Sequence, residues 1–367
     1  MTDAHTNLAN TSGNSPIKHV PADYYPPDSA HWFVIPEGVD QGKKLFFYDF
    51  ITETQGVSQT DERKDSNKAL PVVLFVHGNP ESSYTYSKTR DELVKHTKQP
   101  VRIIAMDHIG FGLSDQASFE MVDMHHANNL MQLIKHLDIQ HITLVIHDWG
   151  GAIGTGALIE QADRVDNIVL MNTTVFPIPL QGLNYTRFPF KCLNWNSFGY
   201  RIPWQLWKHI PPIVMYSGVG RWNFFRRTGD YILRALGGKL TEGEILYRDM
   251  FSTRMNALSS KRNVKQTKVW GHGYRYIDET LGIQDNRQFY KLLQKEIPLK
   301  WGNSNREIKV RAYFGEWDPA ARVDVQAQWI EALPQLQGKI KTYPDVGHFV
   351  EEHKYYEIAQ GILEVIG

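Results

Sequence analysis

The sequence has little of several features that would define a class of protein. Its 367 residues include one cysteine, Cys192, which excludes an internal disulfide and a zinc site built on several cysteines. Lys plus Arg and Asp plus Glu both number 40, so the basic excess typical of nucleic-acid binders is missing. The longest apolar run, residues 70–76, is far below the ~20 residues of a membrane span, and the polar residues 1–16 lack the apolar segment of a signal peptide. We therefore expect a cytoplasmic protein without a nucleic-acid partner or an integral membrane segment.

The sequence does have an alternation of apolar runs and amphipathic stretches. Apolar residues make up 42% of the chain and charged residues 22%, enough to bury a large core. The runs at 72–76 and 142–146 are almost wholly apolar, which suits strands buried on both faces of a parallel sheet. The predicted strands are 32–35, 45–50, 71–76, 101–106, 142–146, 168–171, 310–314 and 340–343, and the predicted helices are 84–96, 121–137, 151–162, 323–332 and 351–365. This order predicts an α/β fold, an eight-stranded and mostly parallel sheet flanked by helices.

The alternation stops near Thr174 and resumes near Lys309. Residues 175–305 hold six of the ten tryptophans, and their 20 Lys plus Arg against 8 Asp plus Glu give a net charge of +12. We predict a core of residues 30–174 and 306–367, an inserted second domain at 175–305, and a poorly ordered extension at 1–29. The basic insertion either balances an acidic core or attracts anionic substrates or lipid.

One strand ends in a segment that predicts a nucleophile elbow. Residues 142–146 run into His147-Asp148-Trp149-Gly150-Gly151, after which helical spacing begins. In such an elbow a sharp turn lifts one side chain above the sheet, and glycines let the helix approach closely. The position that serine usually holds is here Asp148. An aspartate before a helix is also a common helix cap, so the segment alone leaves both roles open.

Two more strands end close to residues that can complete a catalytic triad. Strand 310–314 is followed by Glu316 and Asp318, and strand 340–343 is followed by His348. A nucleophile, an acid and a histidine, each after its own strand, follow the chain order of the α/β-hydrolase triad. Glu316 is the rival for the acid because it lies two residues nearer its strand.

Two glycine-containing loops follow other strands of the predicted sheet. After strand 71–76 comes His77-Gly78-Asn79-Pro80, whose backbone N–H groups can form an oxyanion hole together with that of Trp149. The loop at 107–114 fits neither a dinucleotide-binding nor a P-loop spacing. We interpret this second loop, with Asp107, as a structural turn.

At these residues the sequence resembles the α/β-hydrolase superfamily and, within it, the haloalkane dehalogenases. The clearest segments are His77-Gly78-Asn79-Pro80 and His147-Asp148-Trp149-Gly150, and the resemblance covers about residues 30–174 and 305–367. It implies an α/β-hydrolase fold with an inserted, mainly helical cap domain. It also implies Asp148 as nucleophile, His348 as general base, and Asn79 with Trp149 as halide-binding donors.

The resemblance also bears on the triad acid and on the subfamily. One large group of the family carries the acid as a glutamate after the sixth strand, where this sequence has Asn172. The acid is therefore assigned to Asp318. The combination of Asn79 with a late aspartate is similar to the third subfamily of haloalkane dehalogenases.

The chemistry suits these residues and needs no metal or organic cofactor. A carboxylate can attack an sp³ carbon directly, giving an alkyl ester that water hydrolyses with His348 as base. The Trp149 indole and the Asn79 amide are N–H donors for the leaving halide. The expected partner is a small apolar substrate, and the oligomeric state stays open.

Two alternatives share this constellation. Epoxide hydrolases use the same elbow, but need cap tyrosines to protonate the epoxide oxygen and usually lack an asparagine after His-Gly. Eight tyrosines lie in the insertion: Tyr185, Tyr200, Tyr216, Tyr231, Tyr247, Tyr274, Tyr276 and Tyr290. A dehalogenase-like luciferase or oxygenase usually carries the glutamate that is missing at Asn172.

Overall fold

The apolar runs form one sheet in the computed structural model, which describes residues 8–53, 70–184, 199–302 and 307–367. Across this sheet the strands lie in the order β1 (Ala30–Val34), β2 (Lys44–Ile51), β4 (Arg102–Met106), β3 (Val72–Val76), β5 (Ile142–His147), β6 (Val165–Met171), β9 (Lys309–Gly315) and β10 (Ile340–Tyr343). Strand β2 pairs antiparallel with both neighbours, and all other pairs are parallel. The predicted fold class is confirmed.

The sheet carries a hydrophobic core on each face. Successive side chains of a strand point to opposite faces. In β3, whose five residues are all buried, Val72, Leu74 and Val76 therefore join one cluster of buried side chains, and Val73 and Phe75 join the other. This is why the strand sequence shows no polar alternation.

Helices cover both faces, and four of the five predicted helices differ in their bounds from the prediction. Those of the sheet-forming segments are α1 (Ser87–His96), α2 (Asp123–Leu137), α3 (Gly150–Leu158), α10 (Val323–Ala332), α11 (Val350–His353) and α12 (Tyr355–Ile366). A 3₁₀ turn at Ser83–Tyr86 precedes α1, and a 3₁₀ segment at Ile159–Arg164 follows α3. The last predicted helix is divided in two at Lys354, whose φ of −122° is not helical.

A mainly helical insertion separates β6 from β9. Its described elements are α4 (Trp204–Trp207), α5 (Ile210–Met215), α6 (Arg221–Leu236), α7 (Glu242–Met250), α8 (Arg254–Gln266), the hairpin β7 (Arg275–Asp278) and β8 (Gly282–Asp285), and α9 (Arg287–Ile297). Cys192, Tyr185 and Trp195 lie outside the described residues. No helix in the described ranges combines the length and the apolarity needed to cross a bilayer.

The segment before β1 packs against the sheet. Tyr24 is fully buried, and its hydroxyl donates a hydrogen bond to Asp107 Oδ2 at 2.7 Å. Asp107 also accepts from the backbone N–H groups of Ser83 and Leu113, which fixes the loop as the structural turn that we predicted. Tyr24 thus anchors part of the polar segment 1–29 to the sheet, and the poor order expected of this extension stays a prediction.

Candidate active site

The elbow after β5 holds Asp148 above the carboxyl edge of the sheet. Asp148 has a φ of +50°. Two nearby glycines, Gly78 and Gly150, leave no room for a side chain of their own. A Cβ added to Gly78 would lie 2.4 Å from Asp148 Cβ, and one on Gly150 would lie 2.2 Å from the Val76 oxygen. A left-handed non-glycine residue is costly, and its presence at this turn is typical of a functional site.

Asp148 does not cap the following helix. Its Oδ1 accepts a 2.7 Å hydrogen bond from the Asn79 backbone N–H, and its Oδ2 lies 3.0 Å from His348 Nε2. The cap alternative is therefore wrong. The two expected backbone donors are the N–H groups of Asn79 and Trp149. Within the described ranges only the Asn79 N–H forms a hydrogen bond with the Asp148 carboxylate.

The structure brings Asp148, Asp318 and His348 together. His348 Nδ1 lies 2.5 Å from Asp318 Oδ2, while Glu316 is exposed to solvent. Asp318 Oδ1 accepts from the Ala320 backbone N–H at 2.6 Å, which fixes the carboxylate. The loop after β9 thus presents Asp318, and not Glu316, to the imidazole.

The two carboxylates set the charge of His348. Burial disfavours the imidazolium, but Asp318 and Asp148 outweigh it and raise the pKa of His348 well above its ordinary value. Both carboxylates therefore favour the protonated form of the imidazole.

Two residues of the insertion orient the Asn79 side chain. Ser260 Oγ, on α8, lies 2.6 Å from Asn79 Oδ1, and Trp207 Nε1, on α4, donates to Ser260 Oγ at 3.0 Å. An indole N–H can only donate, so the serine oxygen accepts from Trp207 and its single proton goes to Asn79 Oδ1. The amide NH₂ of Asn79 is left to face the pocket.

The Trp149 indole lies against a second tryptophan of the insertion. The rings of Trp149 and Trp270 are stacked at 3.8 Å with an interplanar angle of 12°, and Trp270 Nε1 donates to the Thr174 oxygen at 2.6 Å. In the described part of the chain no acceptor takes the Trp149 indole N–H. This N–H and the Asn79 amide are thus two donors without a protein acceptor in one pocket.

The pocket above Asp148 is small and mostly apolar. Its volume is about 50 Å³, room for roughly three or four water-sized groups. Besides Asn79, Asp148, Trp149 and His348, its walls include Val214, Val219, Phe224, Val264, Trp270, Trp317 and Phe349. No tyrosine lines it among the described residues. Three tyrosine hydroxyls of the insertion bond elsewhere: Tyr276 to the Glu120 oxygen, Tyr290 to Asp123 and Tyr231 to His209.

A buried ionic group lies directly behind the triad. His147 Nδ1 is 2.5 Å from Glu81 Oε1, and its Nε2 is 3.4 Å from Glu351 Oε2. All three side chains are fully buried. Burial lowers the pKa of His147, but Glu351 and Glu81 outweigh this effect and raise it to about 9.

Glu81, His147 and His348 are close enough together to bind one metal ion. Their nitrogen atoms, however, already face Glu81, the triad carboxylates and the His348 backbone oxygen.

Asn172 has a structural role that its position in the sequence did not reveal. Its Oδ1 accepts from the Gly315 backbone N–H at 2.9 Å, and its Nδ2 donates to the Gly347 and His348 backbone oxygens at 2.8 and 2.5 Å. The amide joins the ends of the strands that carry Asp318 and His348. A carboxylate could accept from Gly315 but could not donate to the two carbonyl oxygens.

Comparisons with known proteins identify a family model and relatives that this chain resembles. Residues 71–196 match the family described as alpha/beta hydrolase fold. The chain is 38% identical over 113 residues to a cis-3-alkyl-4-alkyloxetan-2-one decarboxylase of Shewanella oneidensis, covering 30% of this chain and 34% of that protein. It is 38% identical over 112 residues to a haloalkane dehalogenase of Mycolicibacterium smegmatis, covering 29% and 35%. The chain thus spans about a third of the length of the curated relatives it matches.

A solved structure extends the likeness over nearly the whole chain. The tetrameric haloalkane dehalogenase of Paraglaciecola agarilytica superimposes with a TM-score of 0.62, at 20% identity, over 96% of this chain and 98% of that one. At this identity the likeness concerns the fold. The resemblance to haloalkane dehalogenases that the site segments indicate is confirmed.

Proposed function

We propose that this chain is a member of the α/β-hydrolase superfamily and a cytoplasmic hydrolytic dehalogenase of small haloalkanes. The observation that carries the proposal is the pairing of an aspartate at the elbow with two side-chain N–H donors in one apolar pocket. Such donors stabilise an anion that develops as a bond breaks. Residues 175–305 act as the cap that closes this pocket.

In the first step Asp148 attacks the carbon that carries the halogen. A new C–O bond forms to one carboxylate oxygen, and the electron pair of the breaking carbon–halogen bond leaves with the halide. The Asn79 amide and the Trp149 indole bind this halide, which the apolar walls would otherwise solvate poorly. The product on the enzyme is a neutral alkyl ester.

In the second step water hydrolyses the ester. Esterification removes the negative charge of Asp148, one of the two that raise the pKa of His348, so the imidazole loses its proton more readily. Neutral His348 takes a proton from the attacking water while Asp318 holds Nδ1–H. In the structure the Asn79 backbone N–H donates to Asp148 Oδ1, and in this step it stabilises the tetrahedral oxyanion. Alcohol, halide and a proton leave, and Asp148 is regenerated.

A second candidate is ring opening and decarboxylation of an oxetan-2-one. The decarboxylase of Shewanella oneidensis matches this chain at the same 38% identity as the dehalogenase. A nucleophilic carboxylate beside an oxyanion donor could also attack a strained lactone. Epoxide hydrolysis is less well supported, because the described pocket walls hold no tyrosine to protonate the epoxide oxygen.

A matched substrate panel separates these functions. Purified protein is incubated with 1-bromobutane, with 1,2-epoxybutane and with a cis-dialkyl oxetan-2-one, and bromide, diol and CO₂ are measured. We expect bromide release from the wild type and none from Asp148→Asn, whose mass spectrum must show that the asparagine has not deamidated. Diol or CO₂ formation without bromide release would refute the proposal.

A further inference from the structure

The cap helix α6 (Arg221–Leu236) has an unusual distribution of apolar side chains. Its inner face packs on the protein, where Tyr231 is buried and Phe224 lines the pocket. A helix face that contacts only solvent is normally polar. Instead it exposes Trp222 by 80%, Phe225 by 57%, Leu233 by 71% and Leu236 by 83%.

These side chains form one continuous stripe along the helix. At about 100° per residue, Trp222, Phe225, Leu233 and Leu236 fall within an arc of roughly 80°, which Ile232 extends to about 100°. Ile232 is itself 49% exposed. Soluble proteins rarely expose a contiguous apolar surface without a partner for it.

The borders of the stripe are basic. Arg221 and Arg226 lie on either side of it, both exposed, and neither forms an ion pair in the described part of the chain. The other two arginines of the helix, Arg227 and Arg234, turn inward onto Glu244. The outward charge of the helix is therefore positive, as is the +12 net charge of residues 175–305.

We propose that the outer face of α6 docks on an anionic membrane surface, with the apolar stripe inserted and Arg221 and Arg226 on the lipid headgroups. A helix with an aromatic and aliphatic face bordered by arginine suits the interfacial region of a bilayer. A second copy of the chain fits less well, because a symmetric contact would place like-charged arginines around the same stripe. The docked helix is the one whose Phe224 lines the pocket, which would hold the pocket close to apolar compounds dissolved in the bilayer.

The test is sedimentation of the full-length protein with vesicles. Phosphatidylcholine vesicles are compared with vesicles in which about a third of the lipid is phosphatidylglycerol. We expect binding to the anionic vesicles, at least about tenfold weaker binding for Trp222→Gln combined with Leu236→Gln, and loss of the anionic preference for Arg221→Gln combined with Arg226→Gln.

Matched controls separate this inference from its alternatives. Ile277→Gln combined with Ile283→Gln removes an exposed apolar pair from the hairpin β7–β8 and should leave vesicle binding intact. The α6 variants should keep the wild-type melting temperature, and Asp148→Asn should bind vesicles normally, so that docking is tested independently of the reaction. The proposal would be overturned if the α6 variants bound vesicles as well as the wild type, or if the hairpin variant lost binding to the same extent. It would also be overturned if the wild type did not bind vesicles and instead formed a dimer that Trp222→Gln dissociates.

Discussion

The hydroxyl of Ser260 should strengthen halide binding by orienting the Asn79 amide. Ser260 and Trp207 are completely buried and Asn79 nearly so, and the serine proton is what directs the amide oxygen away from the pocket. Without the hydroxyl, Asn79 Oδ1 and Trp207 Nε1 both lose their partner. No hydrogen bond to Asn79 Oδ1 then favours the amide orientation that presents the NH₂ group to the halide.

The magnitude follows from the one hydrogen bond that sets this preference. A buried neutral hydrogen bond contributes about 0.5–1.5 kcal/mol net. At about 1.4 kcal/mol per tenfold change, loss of the orientation should weaken bromide binding by roughly 2- to 10-fold. Leaving buried polar atoms unpaired should also lower the free energy of unfolding by about 1–3 kcal/mol.

The measurement compares two variants of nearly equal shape. Ser260→Thr keeps the hydroxyl and Ser260→Val replaces it with a methyl group, so any strain from the larger side chain is common to both. Bromide titrations followed by tryptophan fluorescence give the dissociation constants, and urea titrations give the stabilities. We expect the threonine variant to bind bromide more tightly and to be the more stable of the two. Equal bromide affinity in the two variants would refute the orienting role of Ser260.

Three further outcomes are expected. His348→Phe should release about one bromide per enzyme and then stop, with the alkyl adduct on Asp148 visible by intact mass; repeated turnover would contradict the order of steps. Asn79→Ala should lower halide release by about 10²–10³-fold and weaken bromide binding in parallel, whereas a merely structural role would lower stability alone. His147 has a folded-state pKa of about 9, above its unfolded value, so its charge stabilises the fold fully below about pH 6.5 and the contribution is lost as the pH rises through 9. The urea midpoint should fall over this range in the wild type and less steeply in His147→Gln.

The sequence predicts the sheet and the elbow because both are local patterns. The run at 72–76 has the short length and the β-branched residues typical of a buried strand. Glycines near Asp148 indicate a turn at which backbone and side chains approach closely. Asp318 could be preferred to Glu316 only through a family resemblance, since spacing alone allowed both.

The residues that orient the halide donors could not be found in this way. Ser260 lies 181 residues from Asn79, and no local pattern distinguishes it from other serines of the insertion. No sequence pattern distinguishes Trp270 from the other tryptophans of the insertion, and only the distance between the rings identifies its partner as Trp149. At position 172 the sequence shows only that the family's glutamate is missing. The role of Asn172 rests on two donated hydrogen bonds that a glutamate carboxylate cannot donate.

The position of the insertion in the sheet has a consequence for synthesis of the chain. Strand β6 pairs with β9, Asn167 against Lys309, two residues that are 142 positions apart in the sequence. The edge of β6 therefore stays unpaired until the ribosome has made the whole insertion. During that interval a nearly fully buried strand is available for pairing with other chains. Asp148 is made before the insertion, but His348 follows β10, so a nascent chain holds an incomplete site until that strand has been added. A chain that ends before Lys309 is expected to aggregate, which sedimentation of the truncated protein would reveal.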